Sequence, residues 1–238
     1  MADAPGYRPL YRQVQDMFVA RISDGRWSPG QVLPSEQTLA SELGVSQGTV
    51  RKALDAMAAD NLLERRQGKG TYVREVTPER SLFQFFRIAR PGGARLTPQS
   101  GPPDVTQGPA TEAEAARLAL APGETVIRIV RARLIEGTAR IVERIVLPQA
   151  RFPGLTERDL PNALYALYQG SYGISITTAE EELAAVAADA DAARRLDVAP
   201  GTPLLEIDRI AHDLNGQPVE WRRSLCHTRD LVYAVTLR

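Results

Sequence analysis

The sequence predicts an α+β protein in two parts, an N-terminal winged helix-turn-helix domain and a C-terminal domain built on an antiparallel sheet. Three observations carry this. Two short helical patterns separated by a glycine turn lie between residues 35 and 59. A glycine-tipped hairpin pattern follows directly over residues 62–73. The C-terminal half then runs twice through one plan of short helix, Ala-Pro-Gly turn, strand, hairpin turn and returning strand. The chain's 238 residues are enough for two separate cores.

Taken in order, residues 1–8 are expected to be a flexible tail, and residues 9–74 the winged domain. Pro9 suits the first turn of a helix whose Leu10, Val14, Phe18 and Ile22 recur at spacing four and give one apolar stripe. After Asp24-Gly25, a Pro29-Gly30 turn leads into Val32-Leu33, a short strand expected to pair with the wing. Ser35 caps the next helix, which carries Leu39 and Leu43 and stops at Gly44. Ser46 caps the one after it. There Val50, Ala53, Leu54 and Met57 share one face, leaving Gln47, Gly48, Arg51 and Lys52 on the other. Helix, glycine turn and second helix form the arrangement whose second helix enters the DNA major groove by its N-terminal end. Leu62-Leu63, the turn Gln67-Gly68-Lys69-Gly70 and Thr71-Tyr72-Val73 then read as a hairpin, with Arg65, Arg66 and Lys69 at its tip. Its glycines allow close approach of the backbone to a phosphate. A plain helical hairpin with solvated charges would account for the helices alone; the attached wing favours DNA.

These residues resemble a known family. Pro9-Leu10-Tyr11, Gly25-Arg26-Trp27-Ser28-Pro29-Gly30, Leu33-Pro34-Ser35-Glu36, Leu43-Gly44-Val45-Ser46, Thr49 to Leu54 and Arg65 to Thr71 are similar, in order and spacing, to the DNA-binding domain of GntR-type bacterial transcription regulators. The resemblance implies DNA contacts from Ser35, Gln37, Ser46, Gln47, Gly48, Thr49, Arg51, Lys52, Arg66, Gly68, Lys69, Gly70 and Thr71. Members often carry Arg where Gln37 and Gln47 stand, while Arg51 keeps its match. Glutamine suits adenine and arginine suits guanine, so an operator altered at the bases facing those glutamines is expected. Contact of both with phosphates alone is the plainer alternative.

Composition sets the limits. Twenty-nine Lys and Arg balance 29 Asp and Glu, a net charge of zero that is unusual for a nucleic-acid binder but is offset locally by the wing's cations. One cysteine excludes a disulfide framework and fits a reducing cytoplasm. With no secretion-like start and no apolar run of membrane-spanning length, a cytoplasmic protein is expected. His212, His227 and Cys226 have no close-spaced ligand partners, so neither a zinc site nor another cofactor is expected. No nucleophile elbow or phosphate-cradling loop points to catalysis.

Residues 75–80 read as a linker and 81–238 as the second domain, opened by the β-favouring run Ser81 to Phe86. Residues 92–109, rich in Gly and Pro, read as a long loop or irregular edge. The repeated plan begins at Ala115 and again at Ala193, with hairpin turns at Glu136-Gly137 and Asn215-Gly216, the latter the stronger hairpin signal. Between the copies, Leu160 to Tyr168 reads as a helix and Ile174 to Val186 as a strand. Period-two counting puts Arg131 and Arg133 on one face with Ile127, Ile129 and Ile135. It puts Glu143 in a row with Ala139, Ile141, Ile145 and Leu147. Charges on apolar faces are costly unless paired or ligand-bound, and both outcomes stay open here.

Pro122-Gly123, Arg131-Ala132-Arg133, Glu143, Phe152 to Leu155, Tyr172-Gly173-Ile174, Glu180-Glu181 and Pro218-Val219-Glu220 resemble the effector-sensing UTRA domain of the HutC branch, whose fold is that of chorismate lyase. The resemblance implies that Arg131 and Arg133 hold an anionic group, that Glu143 and Glu220 receive hydroxyl or amine groups, and that Tyr165 lies at the site. Ala163 and Cys226 stand where sugar-phosphate sensors carry hydroxyls, so a carboxylate-bearing metabolite is expected instead. The whole then reads as a homodimeric repressor, joined through the second domain's sheet and released from a palindromic operator by a small anion. A lyase-like enzyme fused to a DNA-binding module, and a constitutive DNA-binding protein, are the other readings.

Overall fold

The computed structural model describes residues 8–75, 77, 85–93 and 96–236. The chain divides into two compact units, residues 1–76 and 77–238. Most of the expected tail, most of the linker, and Ser81 to Gln84 of the expected opening strand lie outside the described residues. Phe85 is helical and Phe86 belongs to no strand, so the described end of that run departs from the expectation.

The first unit has helices α1 (Leu10–Ser23), α2 (Glu36–Leu43) and α3 (Gln47–Ala59), then strands β1 (Leu63–Arg66) and β2 (Gly70–Val73). Each expected cap is present. The Ser35 hydroxyl accepts from the Thr38 N–H, the Ser46 hydroxyl accepts from the Thr49 N–H, both at 3.1 Å, and Gly44 ends α2 in the left-handed region. Val14, Phe18, Leu39, Val50, Leu54 and Met57 bury the helix faces against one another, with Trp27 against Phe18. Leu10 departs from the expected stripe: at the first turn of α1 it stays exposed, and Ile22 is only half-buried. β1 and β2 pair antiparallel as the wing, and Val32 bridges Tyr72 as expected.

The second unit is a seven-stranded antiparallel sheet. Its strands are β4 (Gln99–Ser100), β5 (Asp104–Pro109), β6 (Thr125–Ile135), β7 (Thr138–Pro148), β8 (Ile176–Ala187), β9 (Pro203–Asp213) and β10 (Pro218–Cys226). They run in the order β4-β6-β7-β10-β9-β8, with β5 also on β6. A separate pair joins β3 (Ile88–Ala89) to β11 (Val232–Tyr233). The two copies of the repeated plan therefore lie side by side, meeting at β7 and β10. Of the two readings of residues 92–109, an irregular edge describes 99–109: β4 and β5, broken at 101–103, cover the outer edge of β6, and Pro109 is tolerated there because an edge strand needs no donor outward.

The two hairpin turns reverse the order of their sequence signals. Glu136 and Gly137 both take positive φ, 51° and 78°, and close β6–β7 as a two-residue turn. At Asn215-Gly216 only Gly216 does, and the loop is longer, with the Asp213 side chain accepting the Asn215 and Gln217 N–H groups. α4 (Glu112–Leu118) and α6 (Ala190–Leu196) pack on one sheet face around Val126, Val142, Leu204 and Leu225. The other face carries α5 (Leu164–Tyr172), which starts four residues later than expected. Its Leu164, Tyr165 and Tyr168 pack with Phe152 and Leu155 on Ile127, Ile129, Ile145 and Leu147. Among the described residues no helix is long and apolar enough to cross a membrane.

Candidate functional site

Two sites follow from the two units. On the first, the N-terminal turn of α3 presents Ser46, Gln47, Gly48, Arg51 and Lys52 to solvent, with Thr49 half-buried. Ser35 and Gln37 are exposed at the start of α2. The wing exposes Arg65, Arg66, Gly68, Lys69 and Gly70, and Thr71 is half-buried. Gly70 has a positive φ of 112°, and a Cβ there would stand 3.3 Å from Val32 Cγ2, so the tight wing needs a glycine. Arg66 lies 4.2 Å over the Tyr72 ring, and Lys52 lies 4.4 Å over that of Tyr11. Glu36 is an acid within this surface, as is Glu64, which accepts from Arg66 Nε at 3.3 Å; Glu36 gathers the most contacts here. Its carboxylate accepts from Arg51 Nε at 2.8 Å, Arg65 Nη1 at 3.1 Å and Gln47 Nε2 at 3.4 Å. The Arg51 hydrogen bond, with help from Arg65, holds its proton affinity below the ordinary value.

In the second unit the charged rows meet beneath α5. Arg131 and Glu143 are directly opposed on β6 and β7, and Arg131 Nε donates to Glu143 Oε2 at 2.7 Å. The other Glu143 oxygen accepts from Arg222 Nη1 of β10 at 3.0 Å. Arg222 also grips Glu220, Nε and Nη2 each donating at 2.8 Å. Glu220 is fully buried, and it accepts in addition the hydroxyls of Tyr165 at 2.9 Å and Tyr168 at 2.8 Å. Burial and the Glu220 charge push both phenols up, so they stay donors. Arg209 of β9 donates to Glu181 at 2.6 Å.

Arg133 is different. Its Nη1 donates to the Asn162 carbonyl at 3.0 Å and to the Ser100 hydroxyl, but Nε is buried without a hydrogen-bond partner, and Glu143 Oε2 stands 4.0 Å away. Burial pulls its pKa down to about 10, which leaves it charged at neutral pH. In this described cluster Arg131, Arg133, Arg209 and Arg222 face Glu143, Glu181 and Glu220, and Arg87 also lines the cavity. A cavity of about 50 Å³ opens here, lined in part by Arg131, Arg133, Asn162, Tyr165, Arg209 and Cys226. That is room for a few water-sized groups. The Cys226 thiol is pushed up by burial and stays protonated.

Of the residues singled out from the sequence, Arg131, Arg133, Glu143 and Tyr165 come together at the cavity. Glu220 is not among the residues lining it: its two oxygens accept from four protein donors, two of Arg222 and the hydroxyls of Tyr165 and Tyr168. The open alternative of an internal bridge is realised for Arg131 and Glu143. Sequence reading missed Arg222, Arg209 and Tyr168. The signal for Arg222 was the same alternation that exposed Arg131, since Glu220, Arg222, Ser224 and Cys226 are all buried along β10.

Glu143 makes the unit sensitive to acid. Burial works against its charge, but Arg131, Arg222 and Arg133 overcome that and hold its carboxyl far below the ordinary 4.5. Its folded-state pKa lies below the unfolded one, so its contribution is complete above 4.5 and drains as pH falls. Urea midpoints followed by Trp221 fluorescence are expected to drop between about pH 5 and about pH 3, and Glu143→Gln to flatten that decline.

The arrangement, an exposed helix-and-wing surface in one unit and a buried cationic pocket in the other, is that of a DNA-binding regulator with a small-molecule sensor. Comparison with known families agrees. The model for bacterial regulatory proteins of the gntR family matches residues 10–73, and that for the UTRA domain matches residues 96–231. The chain belongs to the GntR family, in the branch with a UTRA domain, consistent with HutC-like members. It is 29% identical to the mannosyl-D-glycerate transport/metabolism system repressor MngR of Escherichia coli over 98% of this chain and 96% of the relative. It is 33% identical to the transcriptional regulator SmoD of Agrobacterium fabrum over 77% and 76%. Among solved structures, the ligand-binding domain of a Bordetella bronchiseptica protein named as a GntR-family regulator superposes with a TM-score of 0.61 at 32% identity, covering 66% of this chain and 99% of that one. PhnF of Mycobacterium smegmatis superposes at 0.55 and 25% identity over 97% and 99%. The protein is a ligand-responsive transcription regulator.

Proposed function

We propose that the chain is a homodimeric repressor that leaves a palindromic operator when a small carboxylate binds the pocket under α5. Arg133 carries this reading: a buried guanidinium with an unpartnered Nε, at a cavity lined by further arginines, is stabilised by an incoming anion. The absence of a hydroxyl at Ala163 and Cys226 favours a planar carboxylate over a phosphate with its additional acceptor oxygen. A relative named for a system handling mannosyl-D-glycerate, itself a carboxylate, supports the same class. DNA would be read by Gln37, Gln47, Arg51 and Lys52, with Ser35, Ser46, Gly48 and Thr49 at the helix starts. Arg66, Lys69 and the Gly68-to-Thr71 turn would lie along the backbone. Dimerisation is assigned to the sheet edge at β8, where Glu182, Leu183, Ala184 and Ala185 are exposed along a strand whose outer side has no partner strand among the described residues. A cytoplasmic setting and domain limits at residues 9–74 and 81–238 complete the reading.

Selection from random duplex DNA with the full chain tests it, followed by operator affinity with and without a panel of carboxylated and phosphorylated metabolites. The expected results are a two-fold symmetric site altered from the usual family half-site at the bases facing Gln37 and Gln47, and a carboxylate that weakens binding about 5- to 150-fold. An asymmetric site, or affinity indifferent to every metabolite handled by the products of neighbouring genes, would reject it.

A further inference from the structure

An acid on a surface that must approach phosphates weakens binding to every duplex, so Glu36 calls for an account. An acidic residue in the first turn of a helix favours the helix dipole, which would explain a carboxylate pointing along α2. This one reaches across instead. It joins α2 to Gln47 and Arg51 of α3 and to Arg65 of β1, so three elements that face DNA converge on a single carboxylate. Arg65 is held from the far side as well, by Asp55 at 2.7 Å. The Glu36 side chain is only 16% exposed, against 59% for Arg51.

The manner of the Arg51 contact matters. Nε and Nη2 both lie 2.8 Å from Glu36 Oε2, so the carboxylate takes one side of the guanidinium. The end of the fork, with one N–H from each Nη, is left pointing away. That end matches the O6 and N7 acceptors of guanine. A free arginine on the surface would instead sample many rotamers and meet phosphates as readily as bases. Resting on the assignment of α3 as the reading helix, we infer that Glu36 is a specificity-determining positioning residue. It presets Arg51 for one guanine and repels phosphate from the same place, lowering affinity for wrong sequences more than for the right one.

The test repeats the random-duplex selection with the full chain and with Glu36→Gln, which keeps the shape and removes the charge. Enrichment of one guanine per half-site is expected to fall about tenfold in the variant. Affinity for a scrambled duplex at low salt is expected to rise. In an Arg51→Ala background, Glu36→Gln should leave that base position unmoved, because its effect passes through Arg51. A role in folding alone would lower the thermal midpoint and both affinities in parallel, with base preferences intact, and that result would overturn the inference. A wild-type chain that enriched a motif unchanged by Glu36→Gln would do the same. A wild-type chain that enriched nothing would overturn the reading helix itself, and this inference with it.

Discussion

Glu220→Ala is expected to destabilise the second unit by about 3–5 kcal/mol. The carboxylate is fully buried and takes four protein donors, two from Arg222 and one each from Tyr165 and Tyr168. Truncation strands both phenols and leaves Arg222 with Glu143 as its remaining carboxylate in this cluster, which Arg131 already shares. An uncompensated buried charge costs far more than the pair itself contributes, so the loss reflects what is left behind. Urea unfolding followed through Trp221 fluorescence, in a Trp27→Phe background so that only the second unit reports, measures it. The exposed Glu182→Ala is the control, with a change inside about 0.5 kcal/mol. A loss below about 1 kcal/mol for Glu220→Ala would mean that the network relaxes around the gap and does not hold the pocket wall.

The contrast between the two units in how much their sequence reveals follows from the range of the interactions. In the winged domain, Ser35, Gly44 and Ser46 act on groups within four residues, and Val50, Ala53, Leu54 and Met57 declare a face by spacing alone. Local rules therefore located α3 and the wing. Glu36 escaped notice because its partners lie on three elements that come together only in the fold. Along β6 and β7 the alternation singled out Arg131, Arg133 and Glu143, since both strands belong to one hairpin and their pairing is local. β10 comes next to β7 through a crossover that no short-range pattern encodes, so alternation could single out Arg222 but not its shared hold on Glu143 and Glu220. Residues 104–109 stay between a loop and an irregular edge in the sequence for a different reason. Their Gly and Pro content denotes a loop in isolation, and only the open edge of β6 makes them a strand.

Arg133→Met should separate sensing from stability. Arg131 is spoken for by Glu143, and Arg222 by two carboxylates, whereas Arg133 keeps its Nε unpartnered at the cavity. A charged hydrogen bond from it to a bound carboxylate contributes about 1.5–3 kcal/mol, so the variant should lose effector affinity by about 10- to 150-fold. Operator affinity without effector should be unchanged, because the residue belongs to the second unit and its hydrogen bonds go to Ser100 and Asn162 of that same unit. Stability should move by no more than about 1 kcal/mol, far less than for Glu220→Ala. Replacing an underpaired buried cation with an apolar chain of similar length removes a desolvation cost along with the contacts to Ser100 and Asn162. Thermal shift with a carboxylate that stabilises the wild type, read beside operator release, distinguishes the cases. A variant that still responds at wild-type concentrations would place the anion on Arg131, which would then have to give up Glu143 on binding. A variant that unfolds would make Arg133 a strut of the sheet and leave its unpartnered Nε without a sensing role.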